Sequence, residues 1–367
     1  MPRVVQPDRW LLVATLALCF VGLVMVFSAS AVMAREQFGH GYVFILRQLV
    51  WLVFGLGGMF WLMNTDYRKF RQPVFIFTGM FLVLVLLCAV FFLDKSHSTH
   101  RWVRLGPVGF QPSELAKLVM IFYLAWFLEM RLRPRSIGVN DLMNSLVPAF
   151  GPVLLIVGLV VIQPDLGTAF EIFLVALTMM FGAGLSLRYL IYAGLAAAPA
   201  IYLLIVRVPY RYQRVISFLN PEADPQGSGF QLLQSLIAVG SGGLWGVGLM
   251  ESRQKLFYLP EAHTDFIFAV LCEELGFIGG LVVLALFAIY GWRGLRAAFG
   301  APDDFGRLLA LGITVMVMAQ AMINLSVVLG LMPTKGLPLP FVSYGGSSLL
   351  VMLLATGVLL NISQHAD

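Results

Sequence analysis

The stretch 253–280, RQKLFYLPEAHTDFIFAVLCEELGFIGG, carries the densest group of side chains able to do chemistry. Pro260 ends an extended segment, Glu261, His263, Thr264 and Asp265 follow, and an apolar helix then begins. Thr264 or Asp265 could simply cap that helix, because a helix N-terminus favours hydroxyls and acids. A cap needs one such residue. Four polar or titratable side chains at the start of an apolar run exceed that need, and ionisable groups there are functional candidates. A carboxylate so placed can act as a general base. Glu273 and Glu274 stand about two turns further along, one of them roughly on the face of Asp265. Polar contacts between helices explain them equally well.

Three other junctions are polar. In 101–117, RWVRLGPVGFQPSELAK, Ser113 is placed to cap a helix after Pro112. Glu114 and Lys117 are three apart, hence neighbours on one helical face, where mutual neutralisation would let the helix insert. In 332–348, MPTKGLPLPFVSYGGSS, prolines and glycines make a rigid irregular loop with Lys335 as its only charge. Ser343, Ser347 and Ser348 could donate to a phosphate or a sugar hydroxyl. The fourth cluster is QPDLGT, 163–168, with Asp165 at the end of a helix pair. Arg207, Arg211, Arg214, Arg253 and Lys255 share one long loop, and Lys95, Arg101 and Arg104 another. Solvated loops would explain such charges; so would a site for an anionic substrate, since clustered Arg and Lys bind phosphate well. Walker A, HExxH, CxxC and GxSxG patterns are absent, and the histidines form no zinc pattern.

The elements that must position these groups are membrane helices. The chain is 59% hydrophobic and 12% charged, against about 25% charged in an ordinary globular domain, so it has too few charges to cover a soluble surface. Apolar runs long enough to cross a bilayer recur along its length. Ten spans are expected, near 11–33, 43–63, 74–93, 114–130, 144–162, 168–186, 188–206, 266–291, 307–331 and 346–362. The fold class is therefore an all-α integral membrane protein, a single domain over 1–367, with a large outer loop, about 207–265, between helices 7 and 8. The runs do not alternate, so strands are not expected. The glycine-rich stretch 230–250 reads as a re-entrant or interfacial segment. Cys19, Cys88 and Cys272 read as small buried hydrophobes. Tight basic clusters in short loops (Arg68, Lys69 and Arg71; Arg131, Arg133 and Arg135; Arg293, Arg296 and Arg307) place both termini on the cytoplasmic side. The net charge of +5 then speaks of orientation and anionic headgroups, not nucleic acid.

PEAHTDFIFAVLCEELG, PTKGLPLPFVSYGGSSLL, QPSELAKL, QPDLGT and the opening DRWLLVATLALCFVGLVMVFSAS together resemble the signature regions of the SEDS family (shape, elongation, division, sporulation) of peptidoglycan glycosyltransferases. The resemblance runs from residue 8 to about 362, and QKLFYLPEAHTDFIFAV with PTKG is most similar to the division-type branch. Cys272 departs from the small residue usual there. The resemblance implies a ten-helix fold in the bacterial cytoplasmic membrane, an extracytoplasmic active site and polymerisation of lipid II. It implies Asp265 as the catalytic residue, Glu114 and Lys117 as a functional ion pair, Lys335 at the substrate, and a divalent cation, Mg2+ or Mn2+. It also implies a complex with a class B penicillin-binding protein, a transpeptidase, and with division-complex proteins.

The residues accommodate that chemistry. An α-linked pyrophosphate donor and a β-1,4 product need one inverting displacement, with a base for the acceptor hydroxyl and positive charge on the leaving group. Asp265 is placed as the base. Lys335, Arg211 and Arg214 are placed for the pyrophosphate, with Glu261, His263, Thr264 and Ser343 as further substrate contacts. A lipid II flippase would use the same substrate, but polar residues should then line a path through the bilayer. A scaffold that only activates a penicillin-binding protein is the third reading.

Overall fold

The computed structural model describes residues 6–94, 100–105, 108–132, 138–223, 227, 229–256 and 258–366. Lys95, Arg133 and Arg135 lie outside the described residues, as does the side chain of Arg104. The helices are α1 Arg9–Phe38, α2 Val43–Met63, α3 Pro73–Leu93, α4 Pro112–Leu132, α5 Val147–Ile162, α6 Leu166–Gly182, α7 Leu187–Val206, α8 Pro209–Leu219, α9 Phe230–Ser241, α10 Ile267–Phe299, α11 Asp304–Val328 and α12 Gly346–Ser363. A π-helical turn, Leu142–Leu146, leads into α5. Eight helical segments are long and apolar enough to cross a membrane. The charged α4 and the 17-residue α6 pack among them, so ten helices build the bundle. All ten expected runs are helical.

Local chemistry sets the helix ends. Asp8 caps α1, its carboxylate accepting from Leu11 N at 3.0 Å, and Gly39 stops that helix in the left-handed conformation. Ser113 is not a cap: α4 starts earlier, at Pro112, and Ser113 Oγ accepts from Gln111 Nε2 at 3.0 Å. α10, α11 and α12 form the buried centre, whereas the apolar window of α7 has no buried residue. Large apolar side chains such as Phe20, Trp61, Phe81 and Phe92 point outward, as a lipid-facing surface requires. Cys88 is also on the outside of α3, so only Cys19 and Cys272 are buried. α2 and α12 approach until backbones touch: a Cβ on Gly357 would stand 2.5 Å from Met59 O.

Two departures from the all-helical expectation sit beside the site. Val103–Leu105 (β1) and Val108–Phe110 (β2) form a small antiparallel hairpin, with Val103 opposite Phe110 and Leu105 opposite Val108. This run is too short and too close to a turn for periodicity to reveal it. The stretch 230–250 becomes α9 and a glycine loop. At 1.5 Å per residue, a 12-residue helix covers about 18 Å of a roughly 30 Å apolar layer. The loop then repairs a break in α10. Gly276 takes φ +69°, which interrupts the helix. Val247 N and Gly248 N bond to the Glu273 and Glu274 carbonyls at 3.0 and 3.1 Å, and Phe277 N bonds to Gly243 O at 2.8 Å.

One end of the bundle is tied at the termini. Asp8 pairs with Arg293, Asp8 N donates to Ser363 Oγ, and Tyr67 links Asn361 to Asp303. The N-terminus, the C-terminus and the 64–67 and 300–303 turns therefore share one end. The hairpin, the 163–165 turn, α8, the 250–266 segment and the 332–345 loop gather at the other.

Candidate active site

A cavity of about 1880 Å³ opens at that second end. The start of α10 gives it Asp265. Glu261 adopts φ +55°, a left-handed conformation that is strained for a residue other than glycine. This turn lets Glu261 O accept from Thr264 N at 3.2 Å and Phe266 N at 3.3 Å. The helix cap falls to Phe266, which makes no side-chain capping bond. Neither Thr264 nor Asp265 caps α10, so the Asp265 carboxylate is left to face the cavity. Burial pushes its pKa up to about 7; the negative charges of Glu261 and Asp165 push the same way, against Arg214 and Arg101.

Five cations line the same space: Arg47, Arg101, Arg211, Arg214 and Lys335. Each is anchored by its stem or head. Arg101 Nε donates to Gln163 O at 3.1 Å, Arg211 Nη1 to Leu204 O at 3.1 Å, and Arg214 Nη1 to Thr334 O at 3.1 Å. Lys335 Nζ lies 4.6 Å from the centroid of the Phe170 ring, and desolvation lowers its pKa. Three carboxylates, Asp165, Glu261 and Asp265, oppose the five cations. Asp165 is already engaged: it caps α6 through Thr168 N at 3.2 Å and receives Gln111 Nε2 at 3.1 Å. Part of the lining is apolar, with Val50, Phe54, Ile162, Leu204 and Ile205.

Two expected contacts fall elsewhere. His263 is buried outside the cavity between Phe44 and Tyr344, at ring-centroid distances of 5.0 and 5.6 Å, and burial lowers its pKa. Ser343 is a brace: its Oγ donates to Thr264 O at 2.6 Å and accepts from Leu339 N at 2.8 Å. Both face inward because the 261–266 turn and the 339–344 loop pack on each other, Tyr344 N donating to His263 O at 3.0 Å. Ser347 and Ser348 do reach the cavity, and Thr264 lines it while donating to Glu261 Oε2 at 2.9 Å. Glu273 and Glu274 point away. Glu273 accepts from Arg253 N at 3.0 Å, and Glu274 accepts from Lys255 Nζ at 2.9 Å and Ser28 Oγ at 2.6 Å. They latch the 252–255 segment to α10 and α1.

Glu114 and Lys117 pair at 3.1 Å, fully buried. The pair is part of a larger cluster, because Lys117 also meets Glu171 at 3.1 Å and Gln320 Oε1 at 2.6 Å. Gln320 Nε2 in turn donates to Pro338 O at 2.8 Å. Sequence reading missed Arg47, Gln320 and Asn324. Each is a polar residue inside an apolar run, which is the signal that could have found it. Among the described residues no three His, Cys, Asp or Glu side chains converge to hold a metal ion.

Residues 9–367 match the family of FtsW, RodA and SpoVE, described as cell cycle proteins. The chain belongs to the FtsW/RodA/SpoVE family. It is 45% identical over 364 residues to stage V sporulation protein E of Bacillus subtilis (strain 168), covering 98% of each chain. It is 44% identical to the probable peptidoglycan glycosyltransferase FtsW of Geobacter sp. (strain M18), covering 97% of this chain and 96% of that one. Among solved structures, it resembles a chain of a peptidoglycan synthase complex that coordinates polymerization and crosslinking, with a TM-score of 0.77, 33% identity and 97% coverage of both. Rod shape determining protein RodA of Thermus thermophilus matches with a TM-score of 0.70 and 30% identity, covering 97% and 96%. The chain is thus a multi-pass membrane protein of the FtsW/RodA/SpoVE fold.

Proposed function

We propose that this chain is a peptidoglycan glycosyltransferase that polymerises lipid II on the extracytoplasmic face of the bacterial cytoplasmic membrane. The observation that carries the reading is the Asp265 carboxylate, free of any capping duty, facing a cavity lined by cations and by apolar side chains. The acceptor 4-hydroxyl attacks C1 of the donor sugar. The bond from C1 to the pyrophosphate oxygen breaks, and the hydroxyl proton passes to Asp265. A base with a pKa near 7 suits that transfer at neutral pH. The leaving pyrophosphate departs as an anion and needs no acid, unlike the alcohol of a hydrolysed glycoside. Lys335, Arg211, Arg214, Arg101 and Arg47 supply the opposing charge. The apolar lining suits the lipid tail, and the exposure of the lining side chains Val50, Phe54 and Ile162 supports access from the bilayer.

The transport reading gains no support. Lys117, Glu114 and Glu171 bond to each other across α4 and α6, and Glu273 and Glu274 bond to the 252–255 segment. These groups do not form an open polar path. The named relatives include sporulation and division proteins at near-equal identity. The partner is proposed to be a class B penicillin-binding protein, in line with the synthase complex among the structural neighbours.

The test is to purify the chain with its penicillin-binding protein, add labelled lipid II and compare wild type with Asp265→Asn. Polymer from wild type and none from a folded, partner-bound variant is expected. Equal polymer from both would remove Asp265 as the base, and no polymer from either would remove the glycosyltransferase reading.

A further inference from the structure

α11 carries two buried amides one helical turn apart, Gln320 and Asn324. Asn324 Nδ2 donates to Asp265 O at 2.7 Å and to Leu337 O at 2.8 Å. The two acceptors lie on separate segments, one entering α10 and the other following Lys335. An amide nitrogen has two hydrogens, so this group is saturated. Its orientation is fixed by chemistry, since both neighbours are carbonyl oxygens and only the NH₂ end can face them. Asn324 Oδ1 is buried without a hydrogen-bond partner. An oxygen in place of the nitrogen would therefore meet two carbonyls and find no donor nearby.

We propose that Asn324 is a positioning residue for the transfer step: its amide sets the separation between Asp265 and the Lys335 loop. The inference rests on the glycosyltransferase reading. Other links join the same two segments, Ser343 Oγ to Thr264 O and Tyr344 N to His263 O, but among the described residues only the Asn324 side chain holds the backbone of Asp265 itself. Proton transfer and charge neutralisation must act on one substrate at once, so a small change in their separation costs rate more than binding. The ionisable and charged groups around the cavity that Asp265 faces are Glu261 on its own turn, Arg211 and Arg214 on α8, Asp165 at α6, Arg101 beside the hairpin, Arg47 on α2 and Lys335 on the loop.

The experiment compares wild type, Asn324→Ala, Asn324→Asp, Ser235→Ala and Asp265→Asn as complexes with the penicillin-binding protein. Ser235 Oγ donates at 2.8 Å to the carbonyl of Val328, one turn beyond Asn324 on α11, and neither residue lines the cavity, so its loss reports the cost of one buried hydrogen bond. Rates are measured against lipid II concentration and pH, and melting temperatures in parallel. Asn324→Ala is expected to lose roughly 30-fold or more in kcat with KM changed less than about threefold. Asn324→Asp puts a buried carboxyl, kept protonated by desolvation, against the two carbonyls; one O–H bond replaces two N–H bonds, so kcat is expected to fall as in Asn324→Ala with the acidic limb of the pH–rate profile unmoved. Ser235→Ala is expected to keep the wild-type profile. Wild-type kcat in both Asn324 variants, or losses in Asn324→Ala that match Ser235→Ala and follow melting temperature, would overturn the proposal. Failure of both Asn324 variants to fold while Ser235→Ala folds would do the same, since that is the behaviour of a structural staple. An Asp265→Asn variant as active as wild type would overturn the functional reading and this inference with it.

Discussion

The Asp265 carboxylate lies against the backbone of Gly336, so closely that a Cβ added there would stand 3.1 Å from Asp265 Oδ2. The obstructed atom is the end of a side chain, so Gly336→Ala displaces the carboxylate and leaves the loop in place. Turnover of lipid II should fall by roughly tenfold or more, with partner binding and melting temperature close to wild type. Steady-state rates alongside a melting curve check this, and a wild-type rate would show that the contact with Gly336 does not fix the working position of the carboxylate.

Asp265 also predicts a pH dependence with a definite sign. Its pKa is raised to about 7, so the basic form is populated only above that pH and polymerisation should rise with pH through about 7. Stability runs the opposite way. A carboxyl whose folded pKa is raised binds its proton more tightly when folded, and that contribution is fully present below about 4 and lost progressively as pH rises to about 7. Asp265→Asn should therefore be more stable than wild type at pH 8, by on the order of 1–2 kcal/mol after allowance for partial exposure, and by clearly less at pH 5. Melting curves at the two pH values decide the matter.

The buried cluster around Lys117 is asymmetric, with one cation shared by Glu114 and Glu171. Lys117→Met leaves two carboxylates without a counter-charge and should cost about 3–5 kcal/mol. Glu171→Gln leaves a matched pair and should cost clearly less. Thermal unfolding in detergent would separate the two, and equal losses would mean that the cluster does not share its charge in this way.

The latch of Glu273 and Glu274 should control exposure of the 252–255 segment. Lys255 is buried against Glu274 and Ser28. Replacing both glutamates by glutamine removes the ion pair and weakens the charge-assisted bonds. Trypsin should then cleave after Arg253 or Lys255 several-fold faster than in wild type, an outcome read by mass spectrometry of the fragments. Unchanged cleavage would mean that the α9 loop alone holds the segment.

The helices were legible because apolar runs of membrane length have few alternatives. Asp265 was legible because a cap cannot account for four polar residues, and the geometry agrees by giving the cap position to Phe266. What escaped depends on tertiary contact. Ser343 and His263 have side chains suited to a substrate, and only the packing of two loops turns them inward. Glu171 joins Lys117 because α4 and α6 meet, which spacing along the chain cannot state. Arg47 interrupts an apolar run in plain view, yet its place in the cavity depends on how α2 stands beside the 332–345 loop.

The break at Gly276 bears on how the chain is inserted. Before the glycine loop docks, the amide of residue 277 lacks its bond to Gly243, and an apolar layer offers no water in its place. The loop is synthesised first, so it must wait near the membrane surface until α10 arrives. The two then close as one cooperative unit, protecting each other's amides from exchange. At this point assembly is obligate pairing, not a procession of independent spans. A lesion in the glycines at 242–248 should show itself as a biogenesis defect before it shows as a catalytic one.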